Sequence, residues 1–204
     1  SMVIHWHTEK GDPQVIYRKK GEVAWSYKQG TYVYLQHLPL QIHSVELFDL
    51  EPNTEYEFSL DRKIYRFRTL ALAVDAPLVF AVGGDAYYYL DLMRKMALQI
   101  AARSPDFVVV GGDIAYTCGT KQLFKQKDWK EKRWVTFFNT WSETMKTPDG
   151  RLIPIIGVLG NHDVERVGLE EEIVYKFLPE IKPFKVIDVG TILSLFLLDT
   201  GHQY

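Results

Sequence analysis

Five residues at three places in the chain have the types and spacing to hold a metal ion: Asp85, then Asp113 with Tyr116, then Asn161 with His162. Each group ends an apolar run of strand length, in residues 78–85 (LVFAVGGD), 107–116 (FVVVGGDIAY) and 155–163 (IIGVLGNHD). Taken singly, an Asp after Gly-Gly is an ordinary turn residue or helix cap. Tyr116 alone reads as a partly buried aromatic with a bonded hydroxyl. Three such endings in sequence order point instead to a metal site. Unbroken Val/Ile/Phe runs read as strands covered on both faces, as in parallel sheets. In open α/β sheets, ligands bind beyond the carboxyl ends of the strands. The oxygen and nitrogen ligands of all three groups are therefore expected to meet there.

The elements that position these groups begin after residues 71–77 (ALAVDAP), which read as a linker. Residues 91–102 place Leu92, Met96 and Ile100 at helical spacing, and Ser104-Pro105 stops the helix. Residues 129–145 predict a second helix with Trp134, Phe137, Phe138 and Trp141 in one apolar band, and residues 168–177 a third. Strand–helix–strand order argues for right-handed crossovers and a mainly parallel sheet. The part before residue 72 is different: short β-branched or aromatic runs at 3–7, 14–18, 22–28, 32–36, 44–48, 55–60 and 64–69, broken by turn residues, predict a small Greek-key sandwich. Trp6 is read as inward in the first strand, and its neighbours His5 and His7 as surface residues rather than ligands.

Composition bounds the rest. The chain has 204 residues, 47% hydrophobic and 25% charged, with a formal net charge of −2. That is an ordinary globular balance and gives no reason to expect nucleic acid or an anionic membrane as partner. The longest apolar run, residues 192–198, is too short to span a bilayer. Cys118 is the sole cysteine, which excludes internal disulfides and a Cys-rich zinc module. It sits two residues past Tyr116, and packing is favoured over reactivity, although a nearby cation would lower its pKa. The basic run 121–133 is expected to be a solvated helix face or surface loop. No secretory leader is visible, and Ser1-Met2 leaves open that the natural start lies upstream.

On these residues the chain resembles the calcineurin-like metallophosphoesterases, and within them the purple acid phosphatases. Gly84-Asp85, Gly112-Asp113-Ile114-Ala115-Tyr116 and Gly160-Asn161-His162-Asp163 match the family's three strand-end motifs in order and context. Leu50, Pro52-Asn53 and Tyr56 resemble the corner of fibronectin type III-like domains, in which the Tyr hydroxyl bonds nearby backbone. The resemblance implies an all-β fibronectin-like sandwich over residues 1–72, then an α/β metallophosphoesterase sandwich over residues 73–204, incomplete at its C-terminal end. It implies phosphate esters as substrates, hydrolysed by a metal-bridging hydroxide attacking phosphorus in line. Asp85, Asp113, Tyr116 and Asn161 would be the metal ligands, with Asp113 the bridge. Hard oxygens such as Asp85 and a Tyr116 phenolate favour Fe(3+), paired with a divalent Fe, Zn or Mn, two metals per full-length catalytic domain. His162 would hydrogen-bond the phosphate or protonate the leaving oxygen. An extracytoplasmic location is favoured by the resemblance alone.

Departures from the pattern are equally legible. Tyr87 stands where many relatives carry a His and purple acid phosphatases a small residue; it could narrow the site, contact substrate or simply pack. The family's later His and Gly-His-x-His ligands are missing, and Gly201-His202-Gln203-Tyr204 ends in Tyr where the second His belongs. His202 is accordingly not expected to be a ligand. Four of the seven expected protein ligands are present, which predicts a fragment of a longer enzyme with weak metal binding and little turnover. The alternative is a degenerate metallophosphoesterase kept as a binding or scaffold protein.

Overall fold

Alternating apolar and polar residues build the first half. The computed structural model describes residues 1–73, 77–118, 129–164 and 173–199. Its first seven strands are β1 Met2–Thr8, β2 Gln14–Lys19, β3 Ser26–Gln29, β4 Thr31–Tyr34, β5 Gln41–Leu47, β6 Glu55–Leu60 and β7 Lys63–Arg68. They form two antiparallel sheets, ordered β1-β5-β4 and β3-β2-β6-β7. Inward residues Ile4, Val15, Val45, Leu47, Tyr56, Phe58 and Phe67 close one core between them. Trp6 packs against that core, and its register partner His43 stacks on the indole at 4.8 Å. The expected strand at 22–28 is shorter and later, because Gly21 turns at φ 93° and Val23 is 90% exposed, with no sheet face to occupy. At the corner, the Glu51 N–H donates to the Tyr56 hydroxyl at 3.0 Å.

The second half contains β8 Phe80–Gly83, α1 Leu90–Ala101, β9 Phe107–Gly111, α2 Trp129–Thr144, β10 Ile155–Val158, α3 Val174–Phe177, β11 Phe184–Val189 and β12 Leu193–Leu198. Strands β8, β9 and β10 are parallel, with β9 in the middle. Strand β9 is the one most fully covered on both faces; in β10, Ile155 and Ile156 pack to opposite sides but stay partly exposed. Val108 and Val110 join the cluster built by α1 and α2, while Phe107 and Val109 pack with Val189 of β11. Strand β8 departs from the expectation of a doubly covered strand: it is an edge, and Val82 is 68% exposed. Strands β11 and β12 pair antiparallel in a separate hairpin rather than extending the parallel sheet.

Helix α1 forms where expected but shows a different face to the core. Met93, Ala97 and Ala101 are its buried residues, and Leu92 and Met96 stay exposed. Two stripes at i, i+4, i+8 were available, and the Ala-rich one lets the helix axis approach its neighbours more closely than Leu and Met would. In α2, Trp134 and Phe137 are fully buried and Phe138 and Trp141 pack beside them. Helix α3 covers only the end of the span predicted as a third helix, whose start falls outside the described residues, as does the segment holding His202.

The two halves touch through polar groups at several points. His5 Nε2 lies 3.1 Å from Glu180 Oε2, so His5 faces the second half and is not a surface residue. The Glu131 carboxylate accepts the Gln36 and His37 N–H groups at 2.6 and 2.9 Å. Glu131 is buried at 3% exposure, which corrects the reading of the 121–133 run as a solvated face at that position, while Lys132 stays exposed. The cause is the partner loop: two free backbone donors at residues 36 and 37 need an acceptor, and α2 supplies one.

Candidate metal centre

The three loops that follow β8, β9 and β10 are built on tight backbone. Asp85, Asp113 and Tyr116 all hold left-handed conformations, with φ of 55°, 53° and 54°. Such conformations cost non-glycine residues energy and persist where surrounding contacts over-determine them. Those contacts are visible here. The Asp85 N–H donates to Gly112 O at 3.2 Å and the Ala86 N–H to Asp113 O at 3.0 Å, tying the first loop to the second. Gly160 has to be glycine, because a Cβ there would overlap the Asp113 carboxylate and backbone nitrogen.

These loops bring Asp85, Asp113, Tyr116 and His162 together. The Tyr116 hydroxyl donates to Asp85 Oδ1. The His162 N–H donates to Asp113 Oδ1 at 2.9 Å, which leaves the second Asp113 oxygen for another partner. The Tyr116 ring stacks on the His162 imidazole, with centroids 4.8 Å apart and planes within 17°. His162 Nδ1 lies 2.8 Å from Cys118 O, a carbonyl that can only accept, so Nδ1 carries the proton and Nε2 is the nitrogen available for chemistry. Asn161, in the same loop, is exposed, and no described contact joins it to the carboxylates. Cys118 is buried and packs, as its neighbours predict.

The donor chemistry fits a hard cation. Burial, then the hydrogen bond to Asp85, then the charges of Asp85 and Asp113 push the Tyr116 phenol well above its ordinary pKa. A cation displacing that proton would meet the Tyr116 and Asp85 oxygens together, with the Asp113 charge nearby. Among the described residues no three His, Cys, Asp or Glu side chains converge, so the gathering rests on the phenol.

Two charged residues that the sequence reading gave no role hold the loops in place. Asp163 is fully buried and accepts three backbone N–H groups: Ile114 at 2.9 Å, Ala115 at 3.0 Å and Gly160 at 3.2 Å. Burial raises its pKa, and the three donors pull the other way. It thus clamps the second loop to the third. Arg133 of α2 clamps the first to the second: Nε donates to Ala115 O at 2.6 Å and Nη2 to Tyr87 O. The guanidinium also sits 4.3 Å over the Tyr87 ring. Tyr87, 8% exposed, is therefore a packing residue under Arg133 and does not reach into the site. Asp163 had a visible signal in its place beside His162. Arg133 had none, since its hydrogen-bond partners are main-chain carbonyls that no side-chain pattern can reveal.

A cavity of about 970 Å³ lies elsewhere, between the halves, with His5, Phe138, Trp141 and Glu180 among its lining. None of the centre's residues lines it. A family model for the purple acid phosphatase N-terminal domain matches residues 1–69, and one for calcineurin-like phosphoesterase matches residues 75–202. No curated protein matches the chain. The second model covers more than half of the sequence, and its family consists of metal-dependent phosphate-ester hydrolases. The chain belongs to the calcineurin-like phosphoesterase family, with a purple acid phosphatase N-terminal domain preceding the phosphoesterase domain.

Proposed function

We propose that this chain carries part of a dinuclear phosphoesterase centre of the purple acid phosphatase type. In this reading Asp85, Asp113 and Tyr116 hold Fe(3+), and Asp113 with Asn161 holds a divalent ion. When bound, the pair supplies Lewis acidity and a nucleophile drawn from water at neutral pH. The chain's own residues do the rest. Asp85 and Tyr116, whose oxygens face each other, would hold the cation with the phenol as its phenolate. Asp113 is oriented by the His162 N–H, and His162 presents Nε2 to a phosphate oxygen or to the leaving oxygen, where it donates a proton only in the doubly protonated form, Nδ1–H being held by Cys118 O. Arg133 and Asp163 keep the three loops in register. The reading includes a division into a sandwich at residues 1–72 and an α/β sandwich at 73–204, supported by the antiparallel sheets confined to the first part and by β9 lying between helices and hairpin, with Leu35 and Ile42 packing across the division.

The observation that carries this reading is the contact of the buried Tyr116 hydroxyl with Asp85, beside Asp113. A metal-content measurement with a visible spectrum of the iron-loaded chain tests it. The expected result is partial iron loading with a purple or pink tyrosinate-to-iron band that Tyr116→Phe abolishes. Iron bound without that band, or a band that survives the substitution, overturns the assignment of Tyr116. The scaffold alternative is favoured by one observation, the exposed Asn161, for which no contact to the carboxylates is found among the described residues. Complete downstream histidines in the parent protein would favour the enzyme, and their absence the scaffold.

A further inference from the structure

Next to the centre, two large aromatic rings stand in water. Tyr88 is 54% exposed and Tyr89 63%, while their neighbour Tyr87 is buried. The Tyr88 ring meets the Tyr116 ring edge to face at 5.2 Å, and Tyr89 meets Tyr88 at 4.5 Å with planes at 89°. With the Tyr116–His162 stack, this makes a continuous row of rings from His162 outward. The backbone below is fixed at both ends. Arg133 holds the Tyr87 carbonyl, and Tyr89 O accepts the Met93 N–H at 3.0 Å where α1 begins.

We infer that Tyr88 and Tyr89 form an aromatic wall that selects phosphate esters whose leaving group carries a planar aromatic ring. The inference rests on the phosphoesterase reading and deepens it. Two rings at right angles make a notch in which a third ring can lie flat on one and edge-on to the other, the two arrangements aromatic pairs prefer. Because the wall is anchored before substrate arrives, little order is lost when it is used. Stacking of this kind is worth about 1–3 kcal/mol per ring, or at least about a fivefold difference in affinity. Alkyl esters of equal size would gain only apolar contact.

The test is titration calorimetry on the chain loaded with iron(III) and zinc(II), using phenylphosphonate, cyclohexylphosphonate and inorganic phosphate. None of these is hydrolysed, so the readout is independent of turnover. The measured quantity is the phenyl-to-cyclohexyl affinity ratio within each variant, in which any general weakening of the site cancels. The native chain and Tyr88→Phe are expected to favour phenylphosphonate at least about fivefold. Tyr88→Leu is expected to bring the ratio close to one, and Tyr89→Leu to lower it. A native ratio near one, or a preference that survives both Leu substitutions, overturns the aromatic wall. Inorganic phosphate that fails to bind a chain shown by metal analysis to carry both ions brings down the phosphoesterase reading itself, and the wall with it. Phosphate that binds beside a ratio of one brings down the wall alone.

Discussion

Replacing Asp163 by Asn removes one charge and almost no volume, which makes it a sharp test of how the ligand loops are held. Asp163 Oδ2 accepts from Ile114 and Gly160, and Oδ1 from Ala115. An Asn side chain does best with its carbonyl at the Oδ2 place, keeping two bonds. Its NH₂ then points at the Ala115 N–H, donor against donor, at a residue with 0% exposure. An unsatisfied buried N–H costs about 1–3 kcal/mol, and two bonds weakened from charged to neutral lose about 1 kcal/mol between them. Relief from burying a carboxylate offsets part of this, as the raised pKa of Asp163 indicates. The net expectation is about 2 kcal/mol for Asp163→Asn and about 4 kcal/mol for Asp163→Ala, which leaves all three donors unpaired. Urea unfolding at neutral pH measures both, and a slope near 2 kcal/mol/M turns the Asn loss into a midpoint shift of about 1 M. Amide exchange at residues 114, 115 and 160 should quicken in both variants. An Asn variant indistinguishable from the native chain, or an Ala variant no weaker than Asn, would refute the clamp.

Two further outcomes follow from other contacts. Arg133→Met should cost about 2–4 kcal/mol by leaving the Tyr87 and Ala115 carbonyls without their donors, and Arg133→Lys should fall between because an ammonium lacks the guanidinium fork; equal losses for Met and Lys in urea unfolding would contradict this. At Glu180 burial opposes ionisation, but the hydrogen bond and charge of His5 outweigh it and hold the carboxyl below its ordinary 4.5. Its contribution is therefore present above that value and lost as pH falls through the lower folded pKa, so Glu180→Gln should be weaker than the native chain by about 1 kcal/mol at pH 7 and converge with it near pH 3. A gap that stays constant across that range in urea unfolding would sink the idea.

What the sequence made legible was whatever depends on side-chain pattern. Seven short alternating runs became seven strands, and Trp6 turned inward, because period-two patterning decides which face of a strand is buried. The motif loops were legible for a related reason: glycine at residues 84, 112 and 160 marks close backbone approach, and Gly160 does sit against Asp113. Where two patterns competed, the reading failed. Helix α1 offered a Leu/Met stripe and an Ala stripe, and packing distance, which is a property of the neighbours, chose the second. The exposure of β8 depends on its edge position in the sheet, and position is not written in a run of apolar letters. The roles of Arg133 and Glu131 were hidden more deeply, since both bind main-chain groups brought near only by the fold.

Glu131 also bears on how the molecule comes apart. Its two oxygens are each taken by a backbone donor from the sandwich, and it sits two residues before Arg133 on the same helix. Drawing the sandwich away would break both bonds and pull Leu35 and Ile42 out of the core they share with Trp134 and Phe137, a penalty of several kcal/mol by the usual cost of exposing buried apolar side chains. That penalty falls on the helix that steadies the first two ligand loops. The halves therefore cannot melt independently at low cost: heating should give one cooperative transition instead of two, and the sandwich acts as the lock on the helix that carries Arg133.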